Sequence, residues 1–282
     1  QPVRRLRSRA TICAMSKQPH LTVDMFPEEI HAWLGHIRRL DYPVQGETSA
    51  VVFVESTQGS FVIKRAHQPP FRDWLRREYQ VLRTLAVTPL PLPAVYTFVE
   101  RHMAKGDEHW LLMARLPGQP LQFVLHSELN PRVRHQLLQA FGELLGNIHR
   151  CPPLSTLAAL DQPWLDSMLK RAADYLQHYR VDGTPALLRA LEQQRPQPIA
   201  PTLIHGDFTL DNILVADGRI SGVIDWAGGA VGDPRYDLAL ATQPKAEAFQ
   251  SPTDLEAFYE GYGGDPITVE DAGYFAGLYE FF

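Results

Sequence analysis

The stretch LIHGDFTLDNILV, Leu203 to Val215, crowds a histidine, two carboxylates and an amide between two apolar segments suited to burial as strands. Asp207 and Asn212 stand five apart, at the two ends of one short loop. Downstream, ILVADGRISGVIDW (Ile213–Trp226) alternates in polarity around Asp217–Gly218, the pattern of a β-hairpin whose second strand ends at Asp225. The hairpin therefore brings two carboxylates and an amide oxygen toward one pocket. Mg²⁺ favours such oxygen donors and completes its shell with water and phosphate oxygens. Asp207, as the further carboxylate, is placed to accept or orient a hydroxyl proton. Taken alone, a D-x₄-N pair is more often a polar cluster satisfied by backbone N–H groups, so the rest of the chain has to decide.

Upstream, SAVVFVES (Ser49–Ser56) and SFVIKRA (Ser60–Ala66) read as a hairpin following a turn at Gly46, and two strands are expected to open the fold. Trp74, Leu75, Tyr79, Leu82 and Leu85 then recur at helical spacing behind Pro69–Pro70. Glu78 lies four residues from both Trp74 and Leu82, inside the apolar stripe, where a carboxylate needs a cationic partner. Lys64, on the neighbouring strand, is the nearest candidate. A strand lysine, a helix glutamate, a D-x₄-N loop and a strand-end aspartate, in that order, make up the parts of a phosphoryl-transfer site.

The segments HGDFTLDNILV (205–215) and GVIDWAGGAVGDPRYDLAL (222–240) resemble the aminoglycoside phosphotransferase family, relatives of protein and choline kinases. The resemblance runs from about residue 40 to at least residue 240 and implies an α+β, bilobal, protein-kinase-like fold with a small antiparallel β lobe and a larger helical lobe. It implies a nucleotide-binding lobe over 25–116 and a catalytic and acceptor-binding lobe over 117–282. Asp207 would be the catalytic aspartate, with Asn212 and Asp225 holding Mg²⁺. Lys64 would meet the phosphates of ATP or GTP, and Glu78 would hold Lys64. Met113 falls at the adenine pocket, so the backbone of Ala114 and Leu116 is expected to hydrogen-bond the base. His205 and Asp237 are implied to brace the catalytic loop. The phosphate-covering turn, YPVQGETSAVVFV, holds a single glycine, Gly46, which makes Thr48 and Ser49 candidates for phosphate contact. Trp226 stands where protein kinases carry Phe-Gly, which fits antibiotic kinases.

Composition agrees with this reading. The chain has 282 residues, 45% hydrophobic and 21% charged, with room for a sizeable core. Its net charge of −5 argues against nucleic acid as a partner. No run reaches the roughly 18 apolar residues of a membrane span. Two distant cysteines, Cys13 and Cys151, suit a reducing, cytoplasmic setting. Residues 1–24, rich in arginine, read as a leader or appended segment ahead of a start at Met15 or Met25. Asn130–Pro131 opens a buried helix, and the stripe Trp164, Met168, Tyr175, Tyr179 on a second one reads as core.

The resemblance implies a small hydroxylated molecule as acceptor. From Ala241 onward, eight acids (Glu247, Asp254, Glu256, Glu260, Asp265, Glu270, Asp271, Glu280) face one base, Lys245. If this segment lines the acceptor site, an aminoglycoside is expected; a solvated acidic helix face is the alternative. Macrolide, choline, homoserine and sugar remain alternative acceptors. A pseudokinase-like nucleotide-binding regulator would lack Asp207, Asn212 or Lys64, all present here, and a metal-dependent hydrolase would need more histidine ligands.

Overall fold

The computed structural model describes residues 20–43, 48–104, 106–128, 130–152, 157, 163–243, 249 and 251–282. The expected turn at Gly46, the leader up to residue 19, Lys245 and Glu247 lie outside these residues. In the first lobe, α1 (Glu28–Leu34) precedes β1 (Ile37–Asp41), β2 (Ala50–Ser56) and β3 (Gly59–Ala66). Then come α2 (Phe71–Leu85), β4 (Val95–Arg101) and β5 (Glu108–Ala114). The five strands form one antiparallel sheet in the order β1-β2-β3-β5-β4. The hairpin β2–β3 was expected to open the sheet, but β1 precedes it and pairs with β2. Its sequence, IRRLD, lies at the sheet edge with two exposed arginines and lacks the alternation of a half-buried strand. β3 and β5 are central, and β5 buries every residue from Glu108 to Met113. Behind the sheet, α2 turns Phe71, Leu75, Val81, Leu82 and Leu85 inward, as their spacing dictates, and Glu78 goes in with them.

Gly118, at φ +113, turns the chain into the second lobe where a Cβ would meet the Val215 carbonyl at 2.5 Å. Here β6 (Gln119–Pro120), α3 (Leu121–Ser127), α4 (Pro131–Arg150), α5 (Trp164–His178) and α6 (Pro185–Gln193) lead to β7 (Thr202–Ile204). The hairpin β8 (Ile213–Ala216) and β9 (Arg219–Val223) follows, then β10 (Ala230–Gly232), α7 (Pro234–Ala241), α8 (Pro252–Tyr262) and α9 (Val269–Tyr279). The Asn130 side chain caps α4 by accepting from the Arg132 N–H at 3.0 Å. Asp217 and Gly218 both take positive φ, +50° and +72°, the geometry that lets a two-residue turn match strand twist. β7 pairs with β10 rather than with the hairpin, a short strand absent from the sequence reading.

The helices pack in two groups, α4 against α8, and α9 against α5, α6 and α7. A Cβ on Gly142 would meet the Phe258 carbonyl at 1.9 Å and one on Gly261 the Gln139 carbonyl at 1.8 Å, so α4 and α8 touch backbone to backbone. That approach seats Phe141 between Phe258 (5.3 Å between ring centroids) and Phe208 (4.8 Å, stacked). Phe208 is fully buried and pins the loop beside Asp207, with burial of such a ring contributing about 1.5–3 kcal/mol. Among the described residues, no helix is long and apolar enough to cross a membrane.

Candidate active site

The cleft between the lobes gathers the residues that the motifs singled out. Lys64 Nζ, reaching from β3, donates to both Glu78 carboxylate oxygens, at 2.7 and 2.9 Å, and also pairs with Asp225 Oδ1. Glu78 is 4% exposed, so the partner that its place on the apolar stripe demanded is Lys64. Burial pulls the Lys64 ammonium down, but Asp225 and then Glu78 outweigh it and leave its pKa raised. Arg77, one residue before Glu78, donates to the Gly229 carbonyl at 2.8 Å and ties α2 to the turn after Asp225.

Asp225 itself adopts a left-handed backbone, φ 64° and ψ 56°. This conformation costs an L-residue about 1–2 kcal/mol, and its surroundings enforce it. The Ile224 N–H donates to the Asn212 carbonyl at 3.0 Å, and Trp226 is fully buried with its indole N–H on the Val223 carbonyl at 3.2 Å. The Asp225 side chain stays 41% exposed.

Asn212 Nδ2 donates to the Asp207 carbonyl at 2.8 Å and to Asp207 Oδ2 at 2.9 Å. That orientation commits the amide nitrogen to Asp207 and leaves Oδ1 as the atom to offer a cation. One amide oxygen and one partly exposed carboxylate suit a hard cation that takes its other ligands from water and phosphate. No cluster of three or more His, Cys, Asp or Glu side chains able to hold a metal occurs among the described residues.

The loop is braced from below. Asp237, with no exposure, accepts the His205 N–H at 2.6 Å and the Gly206 N–H at 2.8 Å. His205, equally buried, accepts the Asp207 N–H on Nδ1 at 3.2 Å and directs Nε2 to the Ile224 carbonyl at 2.9 Å, so the ring carries its proton on Nε2. Gly206 sits at φ +77, where a Cβ would meet the Gly228 carbonyl at 2.2 Å; the loop holding Asp207 and the turn after Asp225 are in backbone contact.

On the nucleotide side, Met113 is 3% exposed and pairs across the sheet with Val62 and Val95. The Ala114 N–H donates to the Ala94 carbonyl at 2.8 Å, so its N–H is committed before any base arrives. The Leu116 side chain packs over Gly222, where a Cβ would meet it at 2.2 Å. Thr48 and Ser49 lead into β2 at intermediate exposure.

Two features escaped the sequence reading. Tyr279, near the end of α9, donates its hydroxyl to Asp207 Oδ1 at 2.7 Å across 72 positions, a distance no local motif can signal. Beside Gly206 and Gly228 lies a small pocket, partly open to solvent, lined by Trp74, Trp164, Met168, Tyr236, Phe282 and Arg171. The stripe on α5 read as core thus also supplies two cavity walls, Trp164 and Met168. None of the described tail acids lines this cavity. Asp254 pairs with Arg134 at 3.7 Å, Glu260 with His135 at 3.5 Å and Asp271 with Arg235 at 3.2 Å.

Known proteins resemble this chain in sequence and in fold. The phosphotransferase enzyme family profile matches residues 41–274. An aminoglycoside 3'-phosphotransferase from Escherichia coli is 27% identical over 203 residues, 68% of this chain and 71% of that protein. Acyl-CoA dehydrogenase family member 10 from Mus musculus is 24% identical over 207 residues, 70% of this chain but 19% of that much longer protein. In structure, an aminoglycoside-3'-phosphotransferase of type VIII superposes with a TM-score of 0.64 at 22% identity, over 88% of this chain and 93% of that one. A family match that spans both lobes and contains Lys64, Glu78, Asp207, Asn212 and Asp225 leaves one assignment: the chain belongs to the phosphotransferase enzyme family and is a kinase of small molecules.

Proposed function

We propose that the protein transfers the γ-phosphoryl group of ATP or GTP, with Mg²⁺, to a hydroxyl of a small molecule. The observation that carries this reading is the Lys64 ammonium bridging Glu78 and Asp225 in the cleft that also holds the Asp207–Asn212 pair. In this reading the lobe over 25–116 takes the nucleotide and the lobe over 117–282 takes the acceptor. Glu78 holds Lys64 where it meets phosphate oxygens, and Lys64 exchanges Asp225 for them as nucleotide arrives. Asn212 and Asp225 would hold Mg²⁺, which when bound neutralises phosphate charge. Asn212 also fixes the Asp207 rotamer, and Asp207 takes the proton of the acceptor hydroxyl as its oxygen joins phosphorus. Met113 and the backbone of Ala114 and Leu116 border the base, Ala114 through its carbonyl; Ser49 stands on the phosphate side.

Asn212→Ala and Asp225→Ala are expected to weaken Mg²⁺-nucleotide binding by at least about tenfold in calorimetric titrations, with little change when Mg²⁺ is omitted. Equal losses with and without the cation would remove both residues from the cation site.

For the acceptor, an aminoglycoside is the reading that relatives such as the Escherichia coli enzyme support. Charge adds less to it: Asp254 and Asp271 face arginines of their own, Glu260 has His135 beside it, and the pocket beside Gly206 is aromatic with one arginine. That lining suits a hydroxyl on an apolar or anionic body, the second reading. Turnover across aminoglycosides, macrolides, choline, homoserine and sugars separates the two, and a polycation held by carboxylates is expected to lose affinity steeply as salt shortens the Debye length from about 10 Å at 0.1 M to about 3 Å at 1 M, whereas an uncharged acceptor is not. An acceptor KM that is flat in salt would rule out the polycation.

A further inference from the structure

We infer that the Tyr279 phenol holds the seat on Asp207 that the acceptor hydroxyl takes during transfer, so that an acceptor has to displace this side chain before it can react. The inference rests on the phosphotransferase reading of Asp207 and adds a specificity-determining residue to it. Asp207 has its two carboxylate oxygens served from different sides: Oδ2 by the Asn212 amide at 2.9 Å and Oδ1 by the Tyr279 hydroxyl at 2.7 Å. A general base receives its substrate as an O–H donor at about 2.6–3.2 Å. The phenol supplies that same bond, with the same donor type, at an oxygen that Asn212 does not occupy. With Asp207 only 5% exposed, there is little room for a second hydroxyl to approach Oδ1 while the phenol stays.

The surroundings let the side chain leave without unfolding the helix that carries it. Leu278 and Phe281, on either side, are fully buried, and the Gly183 N–H donates to the Glu280 carbonyl at 2.8 Å, so the backbone is fixed. A Cβ on Gly183 would meet the Phe281 ring at 2.4 Å, a fit that holds this end of the chain against the loop before α6. Tyr279 itself is only half-buried, and its ring meets Tyr236 edge-on at 6.3 Å. Tyr236 lines the aromatic cavity, so a phenol rotating off Asp207 moves at the border between that cavity and the base. A seat that is filled part of the time lowers apparent acceptor affinity by the fraction of time it is open.

The test needs no knowledge of the acceptor, because water can serve as one. The full chain, Tyr279→Phe, Tyr279→Ala and Asp207→Asn are compared for Mg²⁺-ATP hydrolysis without added acceptor, for nucleotide affinity and for thermal melting. With the phenol hydroxyl gone, water reaches Oδ1, and hydrolysis is expected to rise about three- to tenfold in Tyr279→Phe and further in Tyr279→Ala, at unchanged nucleotide affinity. A phosphoryl group found on Tyr279 by mass spectrometry after prolonged incubation of the unaltered chain would equally support occupancy of the seat. In that event the Tyr279 oxygen bonds to the γ-phosphorus, its proton passes to Asp207, and the bond from phosphorus to the bridging oxygen breaks to release ADP. Hydrolysis that is unchanged or reduced in Tyr279→Phe, with nucleotide affinity and melting intact and Tyr279 unmodified in the unaltered chain, would overturn the inference; a reduction would mark Tyr279 as a residue that merely positions Asp207. If Asp207→Asn leaves hydrolysis untouched, the phosphotransferase reading itself is at fault; if it abolishes hydrolysis while Tyr279→Phe is neutral, only the seat is lost.

Discussion

Asp207→Ala lowers kcat by about 10²- to 10⁴-fold with any good acceptor, while Mg²⁺-nucleotide affinity stays close to that of the unaltered chain. The carboxylate has Asn212 on one oxygen and a hydroxyl donor on the other, an arrangement directed at the acceptor side of the cleft. The groups proposed to meet phosphates and cation, Lys64, Asn212 and Asp225, are all retained in the variant. Asp207→Asn is the sharper control, since it keeps size and one acceptor oxygen but cannot take a proton at neutral pH. Single-turnover kinetics with saturating nucleotide should show the loss in the chemical step. Near-normal turnover in either variant would strip Asp207 of the role of base.

Asp237→Ala is expected to destabilise the fold by about 3–5 kcal/mol, enough to consume a large part of the stability of an ordinary domain. Its carboxylate has no exposure and accepts the N–H groups of His205 and Gly206, with His149 Nε2 at 3.4 Å on the other side. Alanine leaves two backbone donors buried without an acceptor and opens a polar void beneath the loop that carries Asp207. Urea denaturation reads the effect as a lower midpoint, and Asp237→Asn, which retains one acceptor oxygen, should fall between. A loss under about 1 kcal/mol for the alanine variant would mean that water replaces the carboxylate at little cost.

The parts of this molecule that the sequence reveals are those whose physics is local. Glu78 betrayed its partner because helical periodicity put a carboxylate among Trp74, Leu82 and Leu85, and the only way to keep it there is a cation from the adjacent strand. Asp207, Asn212 and Asp225 sit within one loop and hairpin, where Asp217–Gly218 fixes the turn, with one register shift between Leu214 and Val215 on the way to Ile213 opposite Val223. What stayed hidden depends on distant chain. β1 is polar at the edge of the sheet, and β10 is three residues whose partner, β7, lies beyond the whole hairpin. The tail acids were countable, but the pairing of Asp254 with Arg134 and of Asp271 with Arg235 follows from helix packing that no charge count contains. Tyr279 is the plainest case, one tyrosine among ten with nothing in its neighbours to mark it.

The contact between Gly206 and Gly228 fixes how such a site can change. Because neither position has space for a Cβ, the loop that carries Asp207 and the turn after Asp225 are held in close backbone contact. Drift by gradual substitution cannot retune the spacing between them, and any single replacement at either glycine is paid for at both. On the proposed reading, a change of acceptor falls to the more exposed part of the pocket wall, Arg171 on α5 and Phe282 beyond α9, since Trp164 and Met168 are buried in the core of the second lobe. A designer seeking a new acceptor would do well to randomise that wall and leave the paired glycines alone.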